Sequence, residues 1–357
     1  MTTKGLTLRA GAHAIAIIRE RGLRLEDVDV IPGASGGAKW LAVAGLDRFL
    51  FGEFLRDATR ARPLHAIGSS IGSWRIACMA QRDPVAALAR GHHAYIYNQC
   101  YSPKPGPREV TEVLARCLDH LLGPNGVDEI LTHPFVRAHV ITAMGRGLAS
   151  SEKRFVLATS LAIAIIGNVL RRRSLALQFH RTIFHSTGDR SPFAGLCDLP
   201  TTHRTLTRDN LRDALLASGS IPLLVEGVRM NDAPGGLHWD GGVIDYHLDL
   251  DFGVGDGLVL YPHFYDHVVP GWFDKSLPWR RASSHTFQRA LLIAPSESFV
   301  ASLPGHRIPD RRDFAAFPQA ERERRWQSVV DASEQLGDEL RELLATGRIA
   351  ERITPWR

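Results

Sequence analysis

The chain has 357 residues, 44% of them hydrophobic and 23% charged. Those proportions are ordinary for a globular protein and exclude disordered and fibrous classes. The net charge is +5 and only 5 of the 43 basic residues are Lys, so the excess is Arg, which suits anionic partners where it is not plain compositional bias.

In chain order, the apolar run Ala10–Ile18 contains His13 and continues into Arg19-Glu20-Arg21. It lacks a cleavage pattern and reads as a first helix ending at Gly22, not as a secretory leader. Asp27–Ile31 reads as a strand, Lys39–Phe51 as a helix, Leu64–Ile67 as a strand and Ile71–Ala80 as a helix. This alternation predicts an α/β fold with a mainly parallel sheet between helices. Residues 84–132 read as mostly helical, broken by the Pro/Gly-rich run 102–107. Val136–Ala143, Gln178–His185, Leu258–Tyr261 and Ala290–Ala294 read as strands, and Arg208–Ala217 as a helix.

The most apolar stretch, Phe155–Leu170, is followed by Arg171-Arg172-Arg173. It is too short and too mixed to span a bilayer. A buried core helix is the expectation, with a helix resting on a bilayer as the functional alternative. One long helix is expected over Pro318–Ala345, with Trp326, Val329, Val330, Leu336, Leu340 and Leu343 on one stripe. Cys78, Cys100, Cys117 and Cys197 are widely spaced. They imply neither a metal knuckle nor a disulfide framework, and reduced thiols point to a cytoplasmic setting.

Two Gly-x-Ser-x-Gly pentapeptides occur between strand-like and helix-like runs. One is Gly68-Ser69-Ser70-Ile71-Gly72 and the other is Gly33-Ala34-Ser35-Gly36-Gly37. Such a pentapeptide is the signature of a nucleophile elbow, a sharp turn that exposes a Ser. The stretch Gly33–Trp40 also approaches a phosphate-binding loop. Ala38 and Trp40 break that pattern, because Gly and a metal-binding hydroxyl belong there. What survives is a glycine-rich turn with N–H groups that suit an oxyanion. Further on come Ala217-Ser218-Gly219-Ser220-Ile221-Pro222 and Asp240-Gly241-Gly242. Taken alone, the Asp-Gly-Gly run is a hairpin signal.

In this order the four segments resemble the patatin-like phospholipase family, over about residues 10–250. The resemblance implies a three-layer α/β/α domain over 1–310, with a C-terminal helical extension at 311–357 packed on it. It implies a serine acyl hydrolase acting on carboxylic (lipid) esters by a Ser–Asp dyad. Ser70 then matches the nucleophile and Asp240 the base. Gly36, Gly37 and Ala38 match the oxyanion loop, with Ile71 as a further donor, and Lys39 matches the basic position after that loop. Ser35 stands at the first of the three Gly positions that the family's loop often has, Lys39 where Arg is common, and Trp40 where a Gly follows.

Two other readings stand beside this one. The first is an α/β-hydrolase triad using Asp240 with His285 or His306. Against it, only one clear strand precedes the elbow strand. The second is a lipid-binding or regulatory module with little turnover. No cofactor is expected. His263, Asp266 and His267 have metal-ligand character but lack a matching third ligand. The aromatic run Tyr261, Phe264, Tyr265, Trp272, Phe273 and Trp279 suggests a flap or membrane-facing edge. Expected partners are a lipid or small ester substrate and a peripheral membrane contact, without nucleic acid.

Overall fold

The computed structural model describes residues 4–56, 60–186, 191–230, 236–282 and 285–356. Its strands, in chain order, are β1 (Leu6–Ala10), β2 (Val28–Gly33), β3 (Leu64–Ser69), β4 (Val136–Gly145), β5 (Phe179–His185), β6 (Thr201–Thr205), β7 (Val228–Arg229), β8 (Leu237–Asp240), β9 (Leu258–Pro262), β10 (Ala290–Pro295) and β11 (Ile353–Pro355). They form one sheet in the order β11-β1-β10-β9-β2-β3-β4-β5-β6, with β8 also paired to β4 and β7 to β8. The middle of the sheet, β10-β9-β2-β3-β4, is parallel throughout. Antiparallel pairs join β1 to β10, β5 and β8 to β4, and β7 to β8. The chain is therefore an α/β protein with a large, mostly parallel central sheet and flanking helices.

β2, β3, β9 and β10 are almost wholly buried. Buried parallel strands read as continuous apolar runs, and this explains why they were legible in the sequence. Others, β1 and β11 among them, were not. β1 precedes the first helix, Ala12–Arg21, so two strands and not one come before the elbow strand. β11 lies parallel to β1, so the expected helical extension ends as a strand of the main sheet.

The C-terminal helix is likewise two helices, Gln319–Ala332 and Glu334–Ala345, meeting at Ser333. The Ser333 hydroxyl accepts the Gly45 N–H at 2.9 Å. The break thus locks the C-terminal helices onto the helix Ala44–Phe49. The expected continuous helix over Lys39–Phe51 is in fact a tight turn, Gly37–Val43, followed by that short helix.

The helix Arg154–Leu170 departs from the core-helix expectation. Leu157, Leu161 and Ala164 pack into a second apolar cluster with Trp239, Val243 and Ile244. Its other side is exposed, with Phe155 at 89% and Leu170 at 82%. Among the described residues no helix is long and apolar enough to cross a membrane.

Candidate active site

The sheet register brings the sequence motifs together. Gly33 at the end of β2 is the partner of Gly68 near the end of β3. The two pentapeptides therefore leave the same edge of the sheet side by side. Ser69 pairs with Ile141 of β4, and the next residue of β4, Thr142, pairs with Asp240 at the end of β8. Three segments distant in sequence thus converge at the carboxyl ends of adjacent strands, the usual location of sites in open α/β sheets.

Ser70 heads the helix Ile71–Met79 with φ +54° and ψ −132°. A non-glycine residue in that region is strained and persists only when its surroundings enforce it. Here the enforcement is visible. The Ser70 N–H donates to Ser218 Oγ at 2.9 Å, and Ser218 Oγ donates to the Ile141 carbonyl at 2.6 Å. The Ser73 hydroxyl lies 2.5 Å from the Ser70 carbonyl oxygen and 2.9 Å from Ser218 Oγ. Gly72 lets the helix come this close: a Cβ there would lie 1.9 Å from the Gly33 carbonyl oxygen. The helix is further held by a buried bidentate pair, Arg75 to Asp47, at 2.8 and 2.6 Å.

The two pentapeptide serines are in different states. Ser35 is buried, and its hydroxyl lies 2.9 Å from Ser69 Oγ and 3.1 Å from the Ser69 carbonyl oxygen. Ser70 Oγ donates to Asp240 Oδ2 at 2.7 Å. The bond is direct, so no imidazole stands between the two groups. His306 Nδ1 is paired elsewhere, with the Ala301 carbonyl at 2.5 Å.

Asp240 is 5% exposed. Its Oδ1 accepts the Gly242 N–H at 2.7 Å, and its own N–H donates to the Ser220 carbonyl at 2.9 Å. Burial pushes the carboxyl up to about 6, while the Ser70 hydroxyl, the Gly242 N–H and the Lys275 ammonium pull it back. The turn after Asp240 is anchored by Asp245, which takes two bonds from the buried Arg181 at 2.6 and 2.8 Å. Arg172 adds a bond to the Ile244 carbonyl at 2.6 Å.

The glycine-rich turn stands beside this pair. Gly37 has φ +56°, a conformation that favours glycine. Gly36, Gly37 and Ala38 open the tight turn Gly37–Val43, and Ile71 opens the helix after Ser70. N–H groups at such starts have no acceptor within their own turn, which leaves them for an anion. Lys39 Nζ reaches back to the Gly36 carbonyl at 3.5 Å, and burial lowers its pKa. Trp40 points into the core. It is fully buried and packs against His92 and Tyr95, with ring centroids at 4.5 and 5.5 Å.

Lys275 was not apparent from the sequence. The residue is exposed, and its ammonium sits over the Tyr246 ring at 3.9 Å. Desolvation of that ammonium, then Lys39 and Arg311 nearby, bring its pKa down to about 7, against the pull of Asp240 and Asp310. Lys275 and Arg311 both lie 5.7 Å from the Trp272 ring. Two basic side chains thus flank Trp272. The aromatic run is not one flap: Tyr261 and Phe264 are core, Trp272 and Phe273 are half-buried, and Trp279 is exposed.

Two other features lie apart from the dyad. A cavity of about 450 Å³ at the opposite end of β4 is lined by Phe51, Met79, Gln81, His133 and Val136. A row of histidines crosses β3 to β6: His65 to His139 at 3.0 Å, His139 to His185 at 2.7 Å and His185 to His203 at 2.8 Å. A neutral imidazole has one donor and one acceptor, so the bonds along the row all run in one direction. Burial first, then the neighbouring histidines, hold His139 well below the usual histidine range.

No protein-family model matches the chain, and a search of the curated proteins finds no match.

Proposed function

We propose that this protein is a serine acyl hydrolase that cleaves carboxylic esters with a Ser70–Asp240 dyad, built on a patatin-like three-layer α/β/α fold. The observation that carries the reading is the 2.7 Å bond from Ser70 Oγ to a buried carboxylate, at a Ser held in left-handed backbone. The combination is informative because each half is costly alone. A strained Ser and a desolvated carboxylate both lower stability, and such costs concentrate at functional sites.

The chemistry follows from the geometry. Asp240 takes the Ser70 proton as Oγ attacks the ester carbonyl. The negative charge that forms on the carbonyl oxygen meets the N–H groups of the Gly36–Ala38 turn and of Ile71. Collapse of the tetrahedral species breaks the ester C–O bond, and Asp240 returns the proton to the departing alcohol. Water then attacks the acyl-enzyme with Asp240 again as base, releasing the acid and restoring Ser70. A carboxyl near 6 is a stronger base than an ordinary Asp and is still largely ionised at neutral pH.

Lys39, Lys275 and Arg311 support an ester that carries an anionic group, as phospholipids do. The test is hydrolysis of p-nitrophenyl esters of increasing acyl length and of a phospholipid panel. Wild type, Ser70→Ala and Asp240→Asn are compared. Turnover should vanish in both variants. Full turnover in Ser70→Ala, or loss of turnover on replacing a single His with Asp240→Asn still active, would overturn the dyad.

A further inference from the structure

The helix Arg154–Leu170 presents an unusual outer side. Phe155, Ile163, Ile165, Ile166, Val169 and Leu170 are exposed, from 41% to 89%. Between Arg154 and Arg171 the only exposed polar side chain is Thr159, whose hydroxyl is spent on the Phe155 carbonyl at 2.9 Å. A solvated helix face ordinarily carries charge, and a contiguous apolar face marks an interaction surface. Beside it stand the exposed Leu177 and Trp279. Trp279 is joined to the helix through its neighbour, since Arg280 bonds the Asn168 carbonyl at 2.6 Å.

The charges around the face indicate what covers it. Residues 153–173 contain five basic side chains and no acidic one. Arg172 turns inward to Ile244 and Asp245. Lys153 and Arg154 remain exposed at one end, and Arg171 and Arg173 at the other. These four have no ion-pair partner among the described residues. The nearest acid in sequence, Glu152, faces Arg229 at 3.6 Å. Because both ends carry the same sign, packing this face on a second copy, parallel or antiparallel, would oppose like charges. An anionic surface takes the apolar side chains and both basic ends at once.

We infer that the helix Arg154–Leu170, with Leu177 and Trp279 beside it, is an in-plane docking face for an anionic lipid bilayer. The helix lies flat, its apolar side chains enter the acyl boundary, and Lys153, Arg154, Arg171 and Arg173 meet the head groups. The face is tied mechanically to the candidate site. Asn168 Nδ2 donates to Asp274 Oδ1 at 2.6 Å, and the next residue, Lys275, reaches over Tyr246 toward Asp240. At the other end, the Trp239 indole N–H donates to the Ala149 carbonyl at 2.8 Å, in the turn that leads into the helix. Docking would therefore bring the mouth of the site to the lipid surface.

The test is flotation of full-length Ser70→Ala protein with phosphatidylcholine vesicles and with phosphatidylcholine–phosphatidylglycerol vesicles. The readout needs no turnover, so it stands or falls separately from the hydrolase reading. The protein should float with the anionic vesicles. Adding Ile166→Glu and Leu170→Glu should weaken that binding by at least about tenfold. Adding Arg171→Glu and Arg173→Glu should remove the preference for anionic over neutral vesicles. Melting temperature and sedimentation are measured on the same samples. Failure to float with either vesicle would overturn the inference, as would unchanged binding by the folded variants. So would a dimer that the Ile166→Glu/Leu170→Glu change splits into monomers, because the face would then be a self-interface.

Discussion

Replacing Asp240 by Asn should stabilise the protein at neutral pH while abolishing its turnover. The ordinary Asp value is 3.8 and the folded value is about 6. The folded carboxyl is raised, so folding favours its protonated form. Above pH 6 the ionised group therefore costs roughly 3 kcal/mol relative to the unfolded chain. That cost fades as pH falls through 6 and is roughly half a kcal/mol at pH 4. Asn at 240 retains an oxygen for the Gly242 N–H and carries no charge to desolvate. For a chain of 357 residues, 3 kcal/mol corresponds to a rise in Tm of about 4 °C. Urea unfolding and thermal melts of both proteins from pH 4 to pH 8 measure the difference. A gap that opens with rising pH supports the account. A gap that is constant with pH, or a variant less stable at pH 8, would refute the claim that burial of the ionised carboxylate dominates here.

Further outcomes follow from the same geometry. The rate kcat/KM on a soluble ester should climb with pH as Asp240 ionises, with a midpoint near 6, and level off above it; a flat profile from pH 5 to pH 8 would exclude Asp240 as base. Lys275→Ala should shift that midpoint upward, because its positive charge favours the ionised Asp240, and Lys275→Arg should restore it; a purely structural role would change stability and leave the midpoint in place. Ser218→Ala leaves the Ser70 N–H without its buried acceptor, and urea unfolding should register a loss of about 1–3 kcal/mol together with lower kcat. Gly72→Ala puts a carbon 1.9 Å from the Gly33 carbonyl oxygen and should cost more than about 4 kcal/mol, whereas Gly195→Ala, with nothing within 4 Å, should be close to neutral in the same unfolding assay.

The buried strands β2, β3, β9 and β10 were legible because continuous apolar runs bounded by turn residues carry their own signal. β1 was hidden by its neighbour: Leu6–Ala10 runs almost directly into the apolar start of the first helix. β11 has three residues, too few for any period to show. The break at Ser333 has no helix-breaking residue to announce it; it arises from the fit of Ser333 against Gly45. At the site, Ser70, Asp240 and the Gly36–Ala38 turn could be named from residue types and their order. Ser218 stood in a noted motif, yet its role as acceptor for the Ser70 N–H depends on β4 supplying the Ile141 carbonyl. Arg181, Lys275 and the histidine row depend in the same way on strand register and side-chain reach, which spacing along the chain does not encode. The apolar run Phe155–Leu170 was visible, but which of its sides meets the core is decided by the cluster around Trp239.

The central claim is that Ser70 is a nucleophile activated by Asp240. Intact-mass and peptide mass spectrometry after treatment with a fluorophosphonate tests it most directly, because the adduct marks the attacking atom whatever the natural ester. The account predicts one adduct, on the peptide carrying Ser70, formed far more slowly in Asp240→Asn. An adduct on Ser35, or none on the folded wild-type protein, would contradict it.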